Sequence, residues 1–241
     1  ATAANIKQPF GIVIDSAGDI YLSDWGNFRV RKVSYNNRIP VFTSGSVDSI
    51  AICQDSGPVD ISTLLRVNDA DMAQTLTWTL LSSPNHGTAS VAYTATATGG
   101  VVVPSGLTYT PSSGYSGMDT FFVRVDDGHS IDTITIYVRV KPSPPIGLIT
   151  GTLVVCIGVP VTMLNSVAGG IWLSSSPIAT IDASGTVNGL SEGVDTIYYT
   201  TTAAGCSSRV SHVINIYATS VTITGANAVC FDLIITLTGS P

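Results

Sequence analysis

Four cysteines are the residues of this 241-residue chain with the most distinctive chemistry. They are Cys53, Cys156, Cys206 and Cys230, and four cysteines allow three complete pairings into disulfides. Their spacings match no common zinc-binding motif. The sequence therefore favours thiol or disulfide chemistry over zinc binding at these positions.

Residues that could carry out catalysis are few and scattered. The histidines are His86, His129 and His212, and only His129 has acids close by in the sequence. Glu192 is the one glutamate in the chain, which excludes a glutamate pair for glycoside hydrolysis. Ser116 stands in Gly-Tyr-Ser-Gly-Met, which does not match the Gly-x-Ser-x-Gly turn of a serine nucleophile. The sequence predicts a protein that is not an enzyme.

The composition narrows the class of protein further. The chain is 44% hydrophobic and 11% charged, with ten Lys and Arg residues and a net charge of −6. So few cations disfavour nucleic acid, whose affinity comes largely from neutralised phosphates. The apolar content is sufficient to bury a core, and no apolar run is long enough to span a bilayer.

The elements that must position these residues are strands. Short β-branched and aromatic runs are separated, about every 8–12 residues, by Gly, Pro, Asn, Asp or Ser, which is typical of small β domains. Residues 133–140, Thr-Ile-Thr-Ile-Tyr-Val-Arg-Val, alternate as a strand with one buried face does. The chain is therefore predicted to be all-β.

The first 43 residues resemble one NHL repeat. The resemblance is carried by Gln-Pro-Phe-Gly-Ile-Val-Ile-Asp at 8–15, Gly-Asp-Ile-Tyr-Leu-Ser-Asp at 18–24 and Asn-Phe-Arg-Val-Arg-Lys-Val at 27–33. It implies a single four-stranded propeller-type blade, with strands at about 10–14, 19–23, 28–34 and 38–43. Such a blade has two faces that need neighbours.

Residues 44–141 resemble a bacterial cadherin-like, Ig-type sandwich. The most specific part is Tyr-Thr-Pro at 109–111 followed by Gly-Tyr-Ser-Gly-Met-Asp-Thr-Phe at 114–121. Trp78 and Phe122 are expected in its core. Residues 142–148 begin with a proline-rich stretch and are predicted to be a linker.

Six oxygen-bearing side chains of this module resemble the acidic clusters that bind calcium between cadherin-type domains. They are Asn68, Asp69, Asp71, Asp119, Asp126 and Asp127. Calcium takes six to eight oxygen ligands, which converging loops could supply. The alternative is that these residues serve as ordinary turn residues.

Residues 149–217 resemble the bacterial Ig-like domain of group 2, through Gly-Gly-Ile-Trp at 169–172, Ala-Thr-Ile-Asp at 179–182 and Gly-Thr-Val-Asn-Gly at 185–189. Trp172 is expected in its core. Because Cys156 and Cys206 open and nearly close this module, they are predicted to form a disulfide. Cys53 and Cys230 are left either as buried thiols or as partners in inter-module or inter-chain pairs.

The start of this module recurs 74 residues later, where Ile-Thr-Gly and Val-Cys of 149–156 reappear at 223–230. Residues 218–241 are thus predicted to begin a further Ig-like repeat or to be exchanged strands. Exposed strand edges are templates for other chains, so this segment is expected to pair head-to-tail with a neighbouring molecule. The predicted assembly residues are Ile223, Val229, Cys230, Ile235 and Leu237.

Four Asp-Ser/Thr-apolar triplets resemble the O-glycosylation acceptor of one large bacterial phylum. The acceptor hydroxyls would be Ser16, Ser49, Thr133 and Thr196. The alternative is that such triplets mark the point where a turn enters a strand.

These features together predict a secreted or cell-surface structural protein, namely part of a bacterial stalk, adhesin or fibril built from Ig-like modules. The expected partners are other copies or neighbouring Ig-like modules, and a surface glycan or protein ligand. Calcium and covalent O-glycans are the candidate non-protein components. Two alternatives are a ligand- or glycan-binding propeller protein with Ig-like spacer domains, and the accessory region of a secreted enzyme whose catalytic domain lies outside these residues.

Overall fold

The structure of the protein is a computed structural model. It describes residues 5–15, 19–33 and 37–218, together with the backbone of 223–224 and 238–239. The prediction of an all-β chain is confirmed, since strands dominate the described residues and the helical elements there are two short 3-10 turns, Trp25–Asn27 and Ser62–Leu65. No helix in the described part is long and apolar enough to cross a membrane.

The chain divides into two compact units. The first comprises Ala1–Ile52, Ser56–Ser113 and Met118–Arg139, and the second comprises Cys53–Asp55, Gly114–Gly117 and Val140–Pro241. The strands up to the proline-rich stretch are β1 (Pro9–Ile14), β2 (Ile20–Asp24), β3 (Arg29–Val33), β4 (Val41–Phe42), β5 (Val47–Cys53), β6 (Val59–Asp60), β7 (Val67–Asn68), β8 (Met72–Ser82), β9 (Gly87–Ser90), β10 (Tyr93–Thr98), β11 (Val101–Val102), β12 (Thr108–Pro111), β13 (Gly117–Asp126) and β14 (Ile131–Lys141).

The remaining described strands are β15 (Ile149–Thr150), β16 (Val154–Cys156), β17 (Val161–Thr162), β18 (Leu164–Asn165), β19 (Ile171–Ser174), β20 (Ala179–Ile181), β21 (Thr186–Gly189), β22 (Gly193–Ala203), β23 (Cys206–Tyr217), β24 (Ile223–Thr224) and β25 (Thr238–Gly239). Of the predicted assembly residues, Ile223 has only its backbone described, paired with Gly239. Val229, Cys230, Ile235 and Leu237 lie outside the described residues, and so does Ser16.

The N-terminal sheet has three antiparallel strands in the order β1-β2-β3. The prediction that a fourth strand at 38–43 completes this sheet is wrong. That segment forms β4, which pairs with β7 in a separate sheet of order β11-β7-β4. The physical reason is Phe42, whose ring is 1% exposed in the core and whose N–H donates to Asp132 Oδ2 at 2.9 Å.

An Ig-like sandwich follows this sheet in the chain. Its large sheet has the order β10-β8-β13-β14-β5, and a small sheet has the order β6-β12-β9. Tyr109 of β12 stacks on Phe121 of β13 with ring centroids 5.8 Å apart, so these two sheets face each other. Trp78 is fully buried, as predicted, and its Nε1–H donates to the Leu65 carbonyl at 2.9 Å.

The expectation that Phe122 is a core residue is wrong. Its side chain is 40% exposed, whereas Phe121, Val123 and Val125 are fully buried. Alternate residues of a strand point to opposite faces of the sheet. Arg124 lies on the same side as Phe122, and a charged side chain on that side marks the face that meets water.

A second sandwich is built from β15 to β23. Its main sheet has the order β16-β23-β22-β19, with β16 parallel to β23, and a smaller sheet has the order β17-β21-β20. Val187 of β21 and Ile197 of β22 belong to one buried cluster, which places the core between the two sheets. Trp172 is only partly buried, and its ring lies 4.5 Å from that of Tyr199.

Candidate functional sites

A buried aspartate begins a long strand in each sandwich. The sequence Gly-Met-Asp-Thr-Phe at 117–121 starts β13, and Gly-Val-Asp-Thr-Ile at 193–197 starts β22. Asp119 and Asp195 are 4% and 1% exposed, and in both segments the glycine two residues earlier has a φ of 146°. We call this arrangement the aspartate corner. Sequence reasoning missed the pair, although the repeated Gly-x-Asp-Thr pattern was a signal for it.

The corner at Asp119 holds the loop after β8. The carboxylate of Asp119 accepts the backbone N–H groups of Asn85 and His86, both at 3.0 Å, and the hydroxyl of Tyr109 at 2.8 Å. It also accepts the N–H of Thr120 at 2.9 Å. Asp119, predicted as a calcium ligand, is thus satisfied inside the fold.

The corner at Asp195 holds the end of β19. Its carboxylate accepts the hydroxyls of Ser174 and Ser175, at 2.5 and 2.6 Å, and the N–H of Thr196 at 2.7 Å. Burial opposes ionisation of Asp195, but these hydrogen bonds outweigh it and hold its pKa below the ordinary value. Thr196 donates its backbone to this corner, and its side chain is half-buried.

Three of the predicted calcium ligands are electrostatically coupled in the first unit. Asp69 is fully buried; its Oδ1 accepts the N–H of Asp71 at 2.9 Å, and its Oδ2 has no hydrogen-bond partner among the described residues. Burial raises the pKa of Asp69, and the negative charges of Asp71 and Asp127 raise it further. Asn37 donates to Asp127 Oδ2 at 3.2 Å, and Arg38 N–H donates to Asp71 Oδ2 at 2.6 Å.

The other three predicted calcium ligands have different contacts. Asp126 accepts the N–H of Gly128 at 2.8 Å within a turn, and Asn68 pairs through its backbone with Val101 and Val41. Asp119 is the third residue of β13 and Asp126 is its last, which separates them by roughly 23 Å at about 3.3 Å per residue. Among the described residues, no three His, Cys, Asp or Glu side chains are arranged to hold a metal ion.

The disulfide joins Cys53 to Cys206, with a Cα–Cα distance of 5.7 Å, and Cys156 is a free, half-buried thiol. The predicted Cys156–Cys206 bond is therefore wrong. Strand β16 runs parallel to the end of β23, so that Cys156 pairs with Tyr217, whereas Cys206 begins the same strand. The two ends of β23 lie roughly 35 Å apart at about 3.3 Å per residue, far beyond the reach of a disulfide.

The contacts around this disulfide lie within the second unit. Gln54 N–H donates to the Lys141 carbonyl at 2.8 Å, and Lys141 Nζ donates to the Ala204 carbonyl at 2.8 Å. Ser143 N–H donates to Gln54 Oε1 at 3.0 Å. These bonds fix the backbone on both sides of the two sulfur atoms.

The N-terminal sheet is organised around Asp24, which is fully buried at the end of β2. Its carboxylate accepts the N–H of Lys7 at 2.8 Å, Nδ2 of Asn27 at 2.8 Å and Nε of Arg31 at 2.6 Å. Burial opposes the charge, but the Lys7, Arg31 and Asn27 donors prevail and lower the pKa of Asp24 to about 2. The carboxylate joins the segment before β1 to the turn after β2.

Both faces of this sheet are apolar and exposed. Ile12 and Val13 are adjacent in β1 and therefore point to opposite faces, yet they are 69% and 63% exposed. Phe10, Trp25 and Phe28 are also exposed. This exposure agrees with the prediction that the sheet has two faces that need neighbours.

The described glycosylation candidates share one local geometry. Ser49 and Thr133 are exposed, and each donates its backbone N–H to the preceding aspartate, at 2.7 and 2.8 Å. Thr196 does the same from a half-buried position. The geometry agrees with the alternative role of these triplets as strand entries and leaves the hydroxyls of Ser49 and Thr133 on the surface.

The backbone contacts of His86 and His129 are those of turns, whereas His212 lies within β23 and pairs with Ile197. The N–H of His129 donates to Asp127 Oδ1 at 2.7 Å, which explains why acids adjoin this histidine in the sequence. The N–H of His86 donates to Asp119, as described above. These bonds hold loops at the ends of strands.

Comparison with known proteins gives distant structural likenesses. Drosophila N-cadherin EC1-4 is 11% identical with a TM-score of 0.31, and the alignment covers 86% of this chain and 59% of that one. Protocadherin Gamma B7 is 14% identical with a TM-score of 0.32, covering 89% of this chain and 65% of that one. A SusE-like surface located polysaccharide binding protein from Bacteroides thetaiotaomicron is 11% identical with a TM-score of 0.39, covering 88% and 42%.

The chain thus spans less than two thirds of each of these structures. No curated protein matches the sequence. A family model matches one part of the chain, which runs from just before β4 to Arg139 in β14. Residues 37–139 match the family model of the bacterial Ig domain.

Proposed function

We propose that the chain is a non-enzymatic structural segment of a bacterial extracellular surface protein, in which successive Ig-like sandwiches form a stalk, adhesin or fibril. The observation that carries this proposal is the repetition of one design. A bacterial Ig domain is followed by a second sandwich, and each has a buried aspartate corner at the start of a long strand. Repetition of one module is how extended proteins are built.

The disulfide supports an extracellular location. Structural disulfides persist in oxidising environments and are rare in the cytosol of most cells. Cys53 and Cys206 have the Cα separation that such a bond requires. An acidic surface with few cations is also suited to a protein that stays in solution and away from anionic membranes.

The location is tested on the cells that produce the protein. Antibodies raised against residues 37–217 are expected to label intact cells, and external protease is expected to remove the label. Immunogold electron microscopy would then show label on stalks or fibres that project from the cell. Labelling that requires permeabilised cells would contradict the proposal, and label on discrete particles would favour the glycan-binding alternative.

We further propose that the β1–β3 sheet is one blade of an NHL-type propeller. The specific support is that both faces are apolar, as a blade between two others requires, and that Asp24 fixes the entry of β1. Trp25 is 62% exposed in the described residues. If neighbouring blades cover it in the natural protein, its fluorescence emission there lies at shorter wavelength than in the 241-residue chain. An identical emission maximum in the two would contradict a covered blade.

A further inference from the structure

The position of Cys53 in its sandwich is defined by two backbone relations. Cys53 is the last residue of β5, which lies beside the long strand β14 in the sheet. The next residue, Gln54, donates its N–H at 2.8 Å to the carbonyl of Lys141, the last residue of β14. Cys53 therefore marks the end of an edge strand, level with the end of the long strand.

Cys156 occupies the same position in the second sandwich. It is the last residue of β16, the edge strand beside the long strand β23. The next residue, Ile157, donates its N–H at 2.9 Å to the carbonyl of Tyr217, the last residue of β23. Because the neighbouring bonds match, Cys156 is the structural counterpart of Cys53, although one is bonded and the other is a free thiol.

The partner of Cys53 is set by the path of the chain after β14. The segment that leaves Lys141 follows the β22–β23 hairpin, where Ser208 Oγ donates to the Pro144 carbonyl at 2.7 Å and Thr201 Oγ1 to the Pro145 carbonyl at 3.0 Å. Lys141 itself bonds to the hairpin turn at Ala204. This path brings Cys206, at the start of β23, to Cys53, the cysteine that ends the edge strand β5.

We propose that Cys156 forms a disulfide with the cysteine that begins the long last strand of the Ig-like sandwich following it in the chain. The counterpart relation to Cys53 supplies the geometry. The recurrence of residues 149–156 at 223–230 indicates that an Ig-like repeat does follow. In this scheme Cys230, which stands where Cys156 stands one repeat earlier in the sequence, is not the partner of Cys156, just as Cys156 is not the partner of Cys53.

The bond requires an oxidant, which we take to be a low-molecular-weight disulfide or a disulfide oxidoreductase. Two thiols lose two protons and two electrons to form one S–S bond, and the disulfide of the oxidant is cleaved to two thiols. Each edge-strand cysteine would then be joined to the next module, giving a series of successive covalent connections. This inference goes beyond the proposed function, and its failure would leave the cell-surface assignment standing.

The test adds residues to the 241-residue chain that complete the Ig-like repeat predicted to begin at residue 218. The 241-residue protein is extended at its C-terminus by a second copy of residues 168–217, so that the repeat beginning at 218 gains a counterpart of Cys206. Both proteins are oxidised with a mixture of oxidised and reduced glutathione, alkylated with iodoacetamide after denaturation, and mapped by mass spectrometry without reduction. Cys156 is expected to be alkylated in the 241-residue protein and to lose this reactivity in the extended one, where its peptide is recovered bonded to the added cysteine.

Matched variants make the result specific. Cys156→Ser in the extended protein should leave the added cysteine alkylated, whereas Cys230→Ser should leave the new bond intact. Recovery of Cys156 as a free thiol, bonded to Cys230, or bonded to a second chain would overturn the proposal.

A second measurement guards against an extension that does not fold. The protein from its natural source is mapped under the same non-reducing conditions. Cys156 in a disulfide with a cysteine from a following Ig-like module supports the inference. Cys156 as a free thiol in that material refutes it.

Discussion

Asp119 and Asp195 each place a carboxylate inside a sandwich, where a charge is tolerated only when hydrogen bonds replace water. Each is surrounded by donors, and each joins the start of a long strand to the end of another strand or loop. The aspartate is therefore a structural residue. Its threonine neighbour enters the strand, which explains why the same short motif resembles a modification acceptor.

The corner at Asp195 gives a prediction with a pH dependence. Its pKa is lower in the folded than in the unfolded chain, so its contribution to stability is present above pH of about 4 and is lost as the pH falls through the folded-state pKa. Asp195→Asn is expected to lower the free energy of unfolding at pH 7 by about 1.5–3 kcal/mol, since hydrogen bonds to a charged group are lost. Urea unfolding at several pH values measures this.

Asp48→Asn is the matched control for this variant, because the Asp48 carboxylate accepts the N–H of Ser49 in an exposed segment. Its effect should stay within about 0.5 kcal/mol. The difference between the wild-type protein and Asp195→Asn should narrow below pH of about 4. An equal loss for both variants, or a loss that does not depend on pH, would show that the corner has no special role.

Calcium binding stays a prediction, now centred on Asp69. Its raised pKa means that the folded state holds a proton there more tightly than the unfolded chain does, so this group makes the fold less stable as the pH rises above about 4. A cation bound at the Oδ2 that has no hydrogen-bond partner would offset the destabilising effect of this buried negative charge at neutral pH. Millimolar calcium is therefore expected to raise the melting temperature relative to chelator.

Two variants separate this effect from general stabilisation. Asp69→Asn should raise the melting temperature in chelator and abolish the calcium response, because the buried charge is gone. Asp119→Asn should lower the melting temperature and keep the response, since Asp119 lies at the other end of β13. Identical melting curves in calcium and in chelator would end the hypothesis.

O-glycosylation also stays a prediction and is tested by intact mass. Of the described acceptors, Ser49 and Thr133 are exposed, whereas Thr196 is half-buried in the corner. Protein from its natural source should exceed the mass of the bare sequence. Ser49→Ala and Thr133→Ala should each remove part of this excess mass, and each should remove more of it than Thr196→Ala does. A mass equal to that of the unmodified chain would contradict the prediction.

At the scale of elements, alternation and turn residues predicted strands well, but they did not predict which strands are neighbours. The inward side of β13 could be read from Arg124, which marks the exposed face and so assigns Phe121 to the core. The pairing of β4 with β7, and of β16 with β23, depends on contacts distant in sequence. The Cys156–Cys206 prediction failed for that reason, because membership of one module does not fix the end of the sheet at which a residue lies.

The core tryptophans give a graded prediction. Trp78 is fully buried and hydrogen-bonded, Trp172 is partly buried against the second core, and Trp25 is exposed. Trp78→Ala should cost about 3–5 kcal/mol, as large-to-small core substitutions do. Trp172→Ala should cost less, because part of its ring is already in water. Trp25→Ala should change the stability of the 241-residue chain by about 0.5 kcal/mol or less.

Calorimetry of the three tryptophan variants measures this order. Separate transitions for the two units would show which sandwich each tryptophan stabilises. A loss below about 1 kcal/mol for Trp78→Ala would contradict its role as the centre of the first core, since a fully buried side chain of this size rarely costs so little to remove.

At the scale of the whole molecule, one covalent bond encloses most of the described chain. The cysteines of the Cys53–Cys206 bond are 153 residues apart in sequence. On the chain-entropy argument, closing a loop of that length restricts the unfolded chain enough to stabilise the fold by about 5 kcal/mol. A module-by-module description of this protein is therefore incomplete, because the enclosed residues include most of the segment that matches the bacterial Ig domain model and most of the second sandwich.

The last prediction concerns that bond. The double variant Cys53→Ser, Cys206→Ser should unfold at a clearly lower urea concentration than the oxidised wild type, and dithiothreitol should bring the wild type to the same midpoint. Cys156→Ser is the matched control and should respond to dithiothreitol as the wild type does, because Cys156 is a free thiol. If instead Cys156→Ser removes the effect of the reductant, the functional disulfide is the Cys156–Cys206 pair and the order of strands beside β23 must be revised. Since the two outcomes assign the bond to different ends of one strand, this experiment tests the connectivity and its energetic consequence together.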